Sequence, residues 1–292
     1  MAAVRPWSFS MTVISVALGT LAAEAEGRMH WGLAAAALAG ALCLHAATNL
    51  ANDYFDFQGS IDTAGAPSVR ARRHPLVEGT LEPRQVLGGA IGFWIAAVLI
   101  ATALSLLRGW AIGLLTGIGL LAGIFYSAGP LRLKGHALGE LTAFIMWGPF
   151  MVLAAFYVQT GKFSGSSHVV LLSVIQGLWV ALVLLANNLR DADADAAMGI
   201  HTPATLLGRK AAVALAAGLI AGAYLLDAAA VLLGLLQAWS LLVFLSAPLS
   251  VLLIRSFTSP RGVAGNAPAV AARTAMVFGL LLVLSLVVGG AP

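Results

Sequence analysis

Asn49-Leu-Ala-Asn52-Asp53-Tyr-Phe-Asp56, running on to Asp62, is one of two polar, carboxylate-rich stretches in an otherwise apolar chain. The other is Asn187-Asn188-Leu-Arg190-Asp191-Ala-Asp193-Ala-Asp195. Each follows an apolar run long enough to cross a bilayer as a helix. Together they hold six of the chain's twelve acidic residues. A carboxylate at the edge of hydrocarbon is costly unless a cation meets it, so such residues mark a functional site. Two clusters of this kind suggest one shared site for a divalent metal.

The surrounding sequence sets the fold class. Of 292 residues, 60% are hydrophobic and only 10% are charged, with a mean hydropathy of +0.93. A soluble domain of this length could not hide that much apolar surface. The expected fold is an all-α integral membrane protein, one domain over residues 1–292. Apolar runs at 8–23, 31–50, 86–107, 110–127, 138–159, 168–187, 210–226, 229–254 and 270–289 read as nine transmembrane helices. Their weakest boundaries are Arg108-Gly109 and the lone Asp227. The segment from Arg5 to Ala23-Glu-Ala25 also has the outline of a signal peptide. Its removal would leave an even helix count and a poorer charge pattern. The single cysteine, Cys43, excludes an intramolecular disulfide and reads as a small buried apolar residue.

Charge gives the orientation. With a cytoplasmic N-terminus, Arg5, Arg70, Arg72, Arg73, Arg84, Arg132, Lys134, Arg190, Arg209, Lys210, Arg255, Arg261 and Arg273 all fall on the cytoplasmic side. Only Arg28, Arg108 and Lys162 fall opposite. This positive-inside bias accounts for the net charge of +4 without nucleic acid as a partner. It also places both acidic stretches on the cytoplasmic face of an inner (plasma) membrane. The connection over 51–85 is too long for a simple turn and reads as functional.

If helical geometry continues through the acidic stretches, Asn52 and Asp56 share a face, as do Asp191 and Asp195. Asp53 and Asp193 point elsewhere and rank lower. Hard oxygen donors of this type suit Mg2+, which favours one or two carboxylates plus phosphate oxygens. No cysteine or histidine cluster accompanies them, which argues against zinc or a redox metal. Arg70, Arg72, Arg73 and His74 follow the first stretch, Arg132 and Lys134 the fourth run, and Arg190 lies inside the second stretch. As isolated surface pairs these cations would contribute little. Around a diphosphate they make sense, Arg offering bidentate contacts and Lys a point charge. Arg84, Arg209 and Arg255 read as topology signals; Arg73, Lys134 and Arg190 read as diphosphate ligands. A diphosphate held at the mouth of a helical bundle implies a tail in the apolar interior, hence a polyprenyl diphosphate. Tyr126 offers an aromatic face to an allylic cation, or else anchors the interface.

These residues resemble the UbiA superfamily of intramembrane aromatic prenyltransferases, and within it the branch that prenylates a naphthoquinone precursor in menaquinone synthesis. Asn52-x-x-x-Asp56-x-x-x-x-x-Asp62 is similar to the first aspartate motif of that branch, and Asp191-x-x-x-Asp195, preceded by Asn187-Asn188-Leu-Arg190, to the second. Arg5-Pro-Trp-Ser-Phe-Ser, Tyr126-Ser-Ala-Gly-Pro, Ala137-Leu-Gly-Glu140, Trp147-Gly-Pro149 and Gln159-Thr-Gly161 add to the likeness, which covers roughly 4–210. The resemblance implies nine helices around a central cavity, with metal at Asn52, Asp56, Asp62, Asp191 and Asp195. It implies diphosphate contacts at Asn52 and Lys134 and a carbocation neighbour at Tyr126; Arg73, Asn188 and Arg190 stand beside them as diphosphate-binding candidates, and which arginine of the 62–76 segment faces the diphosphate stays open. It implies transfer of a polyprenyl group to an aromatic acceptor, 1,4-dihydroxy-2-naphthoate, with Mg2+ as cofactor. Other acceptors within the family are 4-hydroxybenzoate, a haem, a chlorophyllide or a glycerol-based lipid. Many relatives carry a lysine within two residues of Gly199, where this chain has Ile200-His201-Thr202.

Two further residues have double readings. Glu140, at the start of the fifth helix, either complements the helix dipole or forms a site wall. His45 lies two turns before Asn52 and reads as a buried, satisfied histidine ahead of a base. The rival from another class is a secondary transporter, whose carboxylates coordinate ions at the midplane; here the acidic groups lie at helix ends.

Overall fold

A backbone in lipid must satisfy its own hydrogen bonds, and the described apolar runs of this chain do so in helices, the one expected at 229–254 being divided by a turn at 233–237. The computed structural model describes residues 2–63, 65–129, 131–163, 167–258 and 266–289; Pro130 and Arg261, named above, lie outside them. The helices are α1 (Phe9–Ala22), α2 (Trp31–Gln58), α3 (Pro67–Arg70), α4 (Pro83–Arg108), α5 (Ala111–Ser127) and α6 (Gly139–Ile145). They continue as α7 (Met151–Thr160), α8 (Ser167–Ala197), α9 (Pro203–Leu232), α10 (Ala247–Thr258) and α11 (Ala267–Gly289). Helices α6 and α7 join through a π-turn into one rod, Gly139–Thr160, and a 3-10 stretch extends α10 into Ala238–Thr258. Among the described residues, seven helices are long and apolar enough to cross a membrane, while α5 and α1 with its leading turn (Pro6–Ala22) are shorter apolar helices.

Local chemistry sets the ends. Pro83 and Pro203 occupy the first turns of α4 and α9, where a missing N–H costs nothing. Glu82 N–H donates to Gln85 Oε1 at 2.8 Å, and Thr202 Oγ1 accepts from Thr205 N–H at 3.2 Å, closing capping boxes on both helices. The boundary expected at Asp227 is absent. Helix α9 runs through that residue to Leu232, and Gly234, at φ 69°, makes the turn. One aspartate lowers helix propensity only slightly, and glycine is the stronger breaker. The break inside α9 instead falls at Gly208, with φ 76° and ψ 160°.

Helix α8 is the core of the bundle: 67% of its apolar window is buried, against 22% for α4. Leu172, Ile175, Trp179, Leu182 and Leu185 along it are fully covered. The outer helices keep Leu99, Leu106, Leu107, Leu225 and Leu232 exposed, an apolar surface that only lipid can cover. Cys43 is half-buried rather than enclosed. Polar residues tie helices together inside. Tyr224 Oη meets Ser250 Oγ at 3.0 Å, and Gln176 Nε2 donates to Ser15 Oγ and to the Met11 carbonyl, each at 3.3 Å.

The close approach of the α6–α7 rod to α8 depends on two glycines. A methyl on Gly148 would sit 2.6 Å from the Ser173 carbonyl oxygen, and one on Gly177 would sit 2.7 Å from that of Phe144. Backbone cannot yield as a side chain can. Gly177→Ala is therefore expected to destabilise the protein by ~1–3 kcal/mol through overpacking. Gly117→Ala, where a methyl meets open space, should be neutral or slightly stabilising. Thermal unfolding of both variants in detergent checks the difference.

Candidate active site

Both acidic stretches prolong membrane helices: the first occupies the last turns of α2, the second the last turns of α8. Asn52 and Asn187, one from each, line the same cavity of about 310 Å3. The Asp195 carboxylate lies within electrostatic reach of Asp56, Asp191, Lys134 and Arg190, so the two stretches form one polar mouth. Below it the cavity wall is mostly apolar, with Leu44, Ile112, Gly119, Met146 and Phe150 among its residues.

Every carboxylate of the first stretch has a cation or a histidine. Lys134, in the turn after α5, is paired with both oxygens of Asp56. Asp53, ranked low by helical face, is fully buried and takes Arg5 and Arg72, the latter through Nη2 at 2.6 Å and Nη1 at 3.2 Å. Asp62 Oδ2 meets His74 Nε2 at 2.9 Å, and the same ring nitrogen stands 3.8 Å from Asp53. Burial would raise the Asp62 carboxyl, yet the hydrogen bond and charge of His74, aided by Lys134 and Arg5, hold it below its ordinary value. One ligand atom each from Asp53, Asp62 and His74 lies within 4.8 Å of the others, the donor set of a small metal cage. Two guanidinium groups already neutralise Asp53, so Asp53 serves as an anchor. It ties the N-terminal segment and the 59–82 loop to the end of α2.

In the second stretch Arg190 grips Asp191 with two bonds, at 2.8 and 2.7 Å. Asp191 and Asp195 are half-buried while Asp193 is exposed, as the four-residue spacing requires. Asn188 Nδ2 donates to Glu140 Oε1 at 2.8 Å, joining α8 to the first turn of α6, while Glu140 Oε2 is buried without a partner among the described residues. Tyr126, on the last turn of α5, lines the cavity near Asn52. Asn52 itself donates to Ser127 Oγ at 2.6 Å and accepts from Arg5 at 2.9 Å. His45 also lines the cavity, with both ring nitrogens taken by hydroxyls: Thr12 Oγ1 at 2.8 Å and Ser8 Oγ at 3.1 Å.

Geometry separates two arginines that sequence could not. Arg73 is exposed, and its neighbour Arg72 reaches inward to Asp53. Arg5 counted as a topology charge and as part of a family-like opening, and its pairing with Asp53 was not legible because that partner lies 48 residues away. The side chain of His201 is exposed. Its backbone instead pairs with the Lys134 turn: Ala137 N–H donates to the His201 carbonyl at 2.7 Å, and His201 N–H to the Gly135 carbonyl at 3.2 Å. The segment after α8 thus steadies the loop that carries Lys134.

A multi-pass helical membrane protein whose apolar cavity opens beneath paired acidic helix ends and a ring of cations is built to hold an anionic head with a greasy tail. The chain belongs to the UbiA prenyltransferase family, whose profile matches residues 12–278, and it is a prenyltransferase. It is 31% identical over 286 residues to the 1,4-dihydroxy-2-naphthoate octaprenyltransferase of Bacillus subtilis, covering 97% of this chain and 90% of that protein. It is 32% identical over 209 residues to the UbiA prenyltransferase domain-containing protein 1 of Homo sapiens, covering 70% of this chain and 60% of that protein. Among solved structures, a UbiA homolog from Aeropyrum pernix K1 superposes with a TM-score of 0.73 at 20% identity, over 94% of this chain and 97% of that one. A UbiA homolog from Archaeoglobus fulgidus bound to GPP and Mg2+ gives 0.62 at 16% identity, over 97% and 98%. These two likenesses bear on the fold.

Asp53→Ala would strand two guanidinium groups, and removing one member of a buried pair costs ~3 kcal/mol. Arg73→Ala should change stability by less than ~0.5 kcal/mol. Limited proteolysis of the 59–82 loop and thermal unfolding measure both. A depressed carboxyl stabilises fully above its unfolded value, 3.8 for Asp62, and loses that contribution as pH falls through its lower folded value. Loop protection is therefore expected to stay level from pH 7 to about 5 and to fail only in stronger acid.

Proposed function

We propose that this enzyme transfers a polyprenyl group from polyprenyl diphosphate to an aromatic quinone precursor, 1,4-dihydroxy-2-naphthoate, with Mg2+, as a step of menaquinone synthesis. The observation that carries the reading is an apolar cavity lined by Arg5, Asn52 and Asn187, the last two drawn from the two acidic helix ends where Asp56, Asp191, Asp195, Lys134 and Arg190 gather. The choice of acceptor draws support from the Bacillus subtilis relative, which carries that substrate in its name over nearly its whole length. A second reading, the same transfer to another acceptor, is favoured by the vertebrate relatives, whose names specify none.

The donor set fits Mg2+. Asp56, Asp62, Asp191 and Asp195 offer only hard oxygen atoms, and Asn52 adds an amide oxygen. Mg2+ held there would neutralise charge on the departing diphosphate. Lys134 and Arg190, released from Asp56 and Asp191, turn to the diphosphate oxygens. Exchanging one partner for another keeps each charge compensated throughout. Tyr126 presents its ring at the top of the cavity to the allylic cation, whose charge an aromatic face attracts. The apolar walls keep water from quenching that cation. The acceptor ring supplies the electrons and loses a proton, so no enzyme nucleophile is required.

On this reading all nine apolar helices cross the membrane, with the N-terminus and the site on the cytoplasmic side of the plasma membrane. Arg28, Arg108 and Lys162 lie outside. A transporter would hold its ions on broken helices at midplane. In this protein the carboxylates crowd one end.

Purified protein with a polyprenyl diphosphate, Mg2+ and a panel of aromatic acceptors should yield prenylated dihydroxynaphthoate, and EDTA should abolish it. Product on a different acceptor would move the pathway. Asp56→Asn and Asp191→Asn should each lower turnover by at least about a thousandfold, the scale of removing a main electrostatic element, while remaining folded. Wild-type rates in either variant would sink the metal assignment.

A further inference from the structure

The buried carboxylates at the mouth have partners, with one exception. Asp53 holds two guanidinium groups, Asp56 holds Lys134, Asp62 holds His74 and Asp191 holds Arg190. Asp195 sits among these charges and belongs to the proposed metal set. Glu140 is the exception. It is 8% exposed, and the groups that bear on it are Asn188 and its own backbone N–H, with no cation among the described residues. Asn188 occupies Oε1 at 2.8 Å, while Oε2 is buried and accepts from no described group. A buried acceptor left open in this way is uncommon, and it points to an occupant or a chemical role.

The elements around Glu140 place it at the head of the cavity. Ala143, three residues on and on the same face of α6, lines the cavity. So does Asn187, next to Asn188 on α8. From α5, Tyr126 lines the cavity within electrostatic reach of the Glu140 carboxylate. His45 also lines the cavity, but hydroxyls of Thr12 and Ser8 occupy both its ring nitrogens. Glu140 is left with an oxygen free to take a proton.

An aromatic ring that attacks an allylic cation becomes positive itself. In a dry cavity that charge is costly unless the ring's hydroxyl gives up its proton as the bond forms. Resting on the function proposed above, we infer that Glu140 is the catalytic base, its free oxygen taking the proton of the acceptor's aromatic hydroxyl directly or through one water. The O–H bond breaks, and the ring carbon beside it bonds to the allylic carbon that the diphosphate has left. The ring is then a ketone at that oxygen, with a hydrogen still on the alkylated carbon. That proton leaves with the diphosphate, and Glu140 returns its own to the oxygen. Glu140 ends as it began, and the net exchange is one proton for one prenyl group. Asn188, by holding Oε1, fixes which oxygen is free. The arrangement also sets the acceptor class: a ring with a hydroxyl beside the carbon that is alkylated.

The test compares the wild-type protein with Glu140→Gln, which keeps an oxygen for Asn188 and removes the base, and with Glu140→Asp. Each is assayed in detergent with Mg2+, a polyprenyl diphosphate and a series of hydroxynaphthalenes and phenols whose hydroxyls differ in acidity. Glu140→Gln should lower kcat on 1,4-dihydroxy-2-naphthoate by at least about a hundredfold, the scale of a lost general base. Donor binding should stay within about twofold, because the ligands of the diphosphate are untouched, and the thermal unfolding midpoint should not move. The loss should shrink as the acceptor's hydroxyl becomes more acidic, since a ring already ionised in solution has no proton to give. Glu140→Asp should recover part of the rate. A wild-type kcat in Glu140→Gln, or an equal loss across the whole acidity series, would overturn the inference and leave Glu140 as part of the wall. Failure of the wild-type protein to prenylate any of these rings would sink the transferase reading itself, and the inference with it.

Discussion

The pairing of Lys134 with Asp56 is the contact on which the rest of the site depends. It joins the turn after α5 to the end of α2 across 78 residues of sequence. A carboxylate at the border of hydrocarbon is costly uncompensated, and the fold brings a cation to each of Asp53, Asp56 and Asp191. Loops that would otherwise be free are recruited for the purpose. The N-terminal segment brings Arg5, the 59–82 loop brings Arg72 and His74, and the turn before α6 brings Lys134. The fold and the charge balance are in this sense one problem.

What could be read from the sequence was whatever repeats locally. Apolar runs gave the helices because a span needs only length and hydropathy. The four-residue spacing gave the inward faces of Asn52 with Asp56 and Asp191 with Asp195, because α2 and α8 stay helical past their apolar parts. What could not be read needed distance. Asp53 counts onto the wrong face, and only the fold shows Arg5 and Arg72 arriving there. Arg72 and Arg73 are adjacent in sequence, and the path of the loop alone decides which turns inward. Asp227 misled for the opposite reason: a charge in an apolar run looks like an ending, yet a helix tolerates it and turns at Gly234 instead.

Small residues carried a similar ambiguity. In a membrane chain, glycine and alanine usually mean close helix packing, and Gly148 and Gly177 bear that out with contacts no methyl could survive. Along one side of α2 the same residue types leave a groove instead of closing one: Ala37, Gly40 and Ala41 line the cavity below the site, Gly32 and Ala36 a separate one. Composition cannot tell the two uses apart. What separates them is the neighbour, main chain of α8 in one case and the side chains of α4 in the other.

The acidic groups themselves divide by how firmly they are held. Asp53 is 1% exposed and bears two guanidinium groups, so its loss would leave two cations unpaired at once. Such an arrangement resists exchange, since an uncompensated Asp53 would stay buried and two cations would need new partners together. Asp56 and Asp191 are more open, at 7% and 17%, and each has one basic partner on a flexible side chain. A cation there can leave its carboxylate for a phosphate at little cost, provided another positive charge takes its place. Placing the doubly bound acid behind and the singly bound acids at the cavity mouth keeps the loops fixed while the charges that face substrate remain free to change partners.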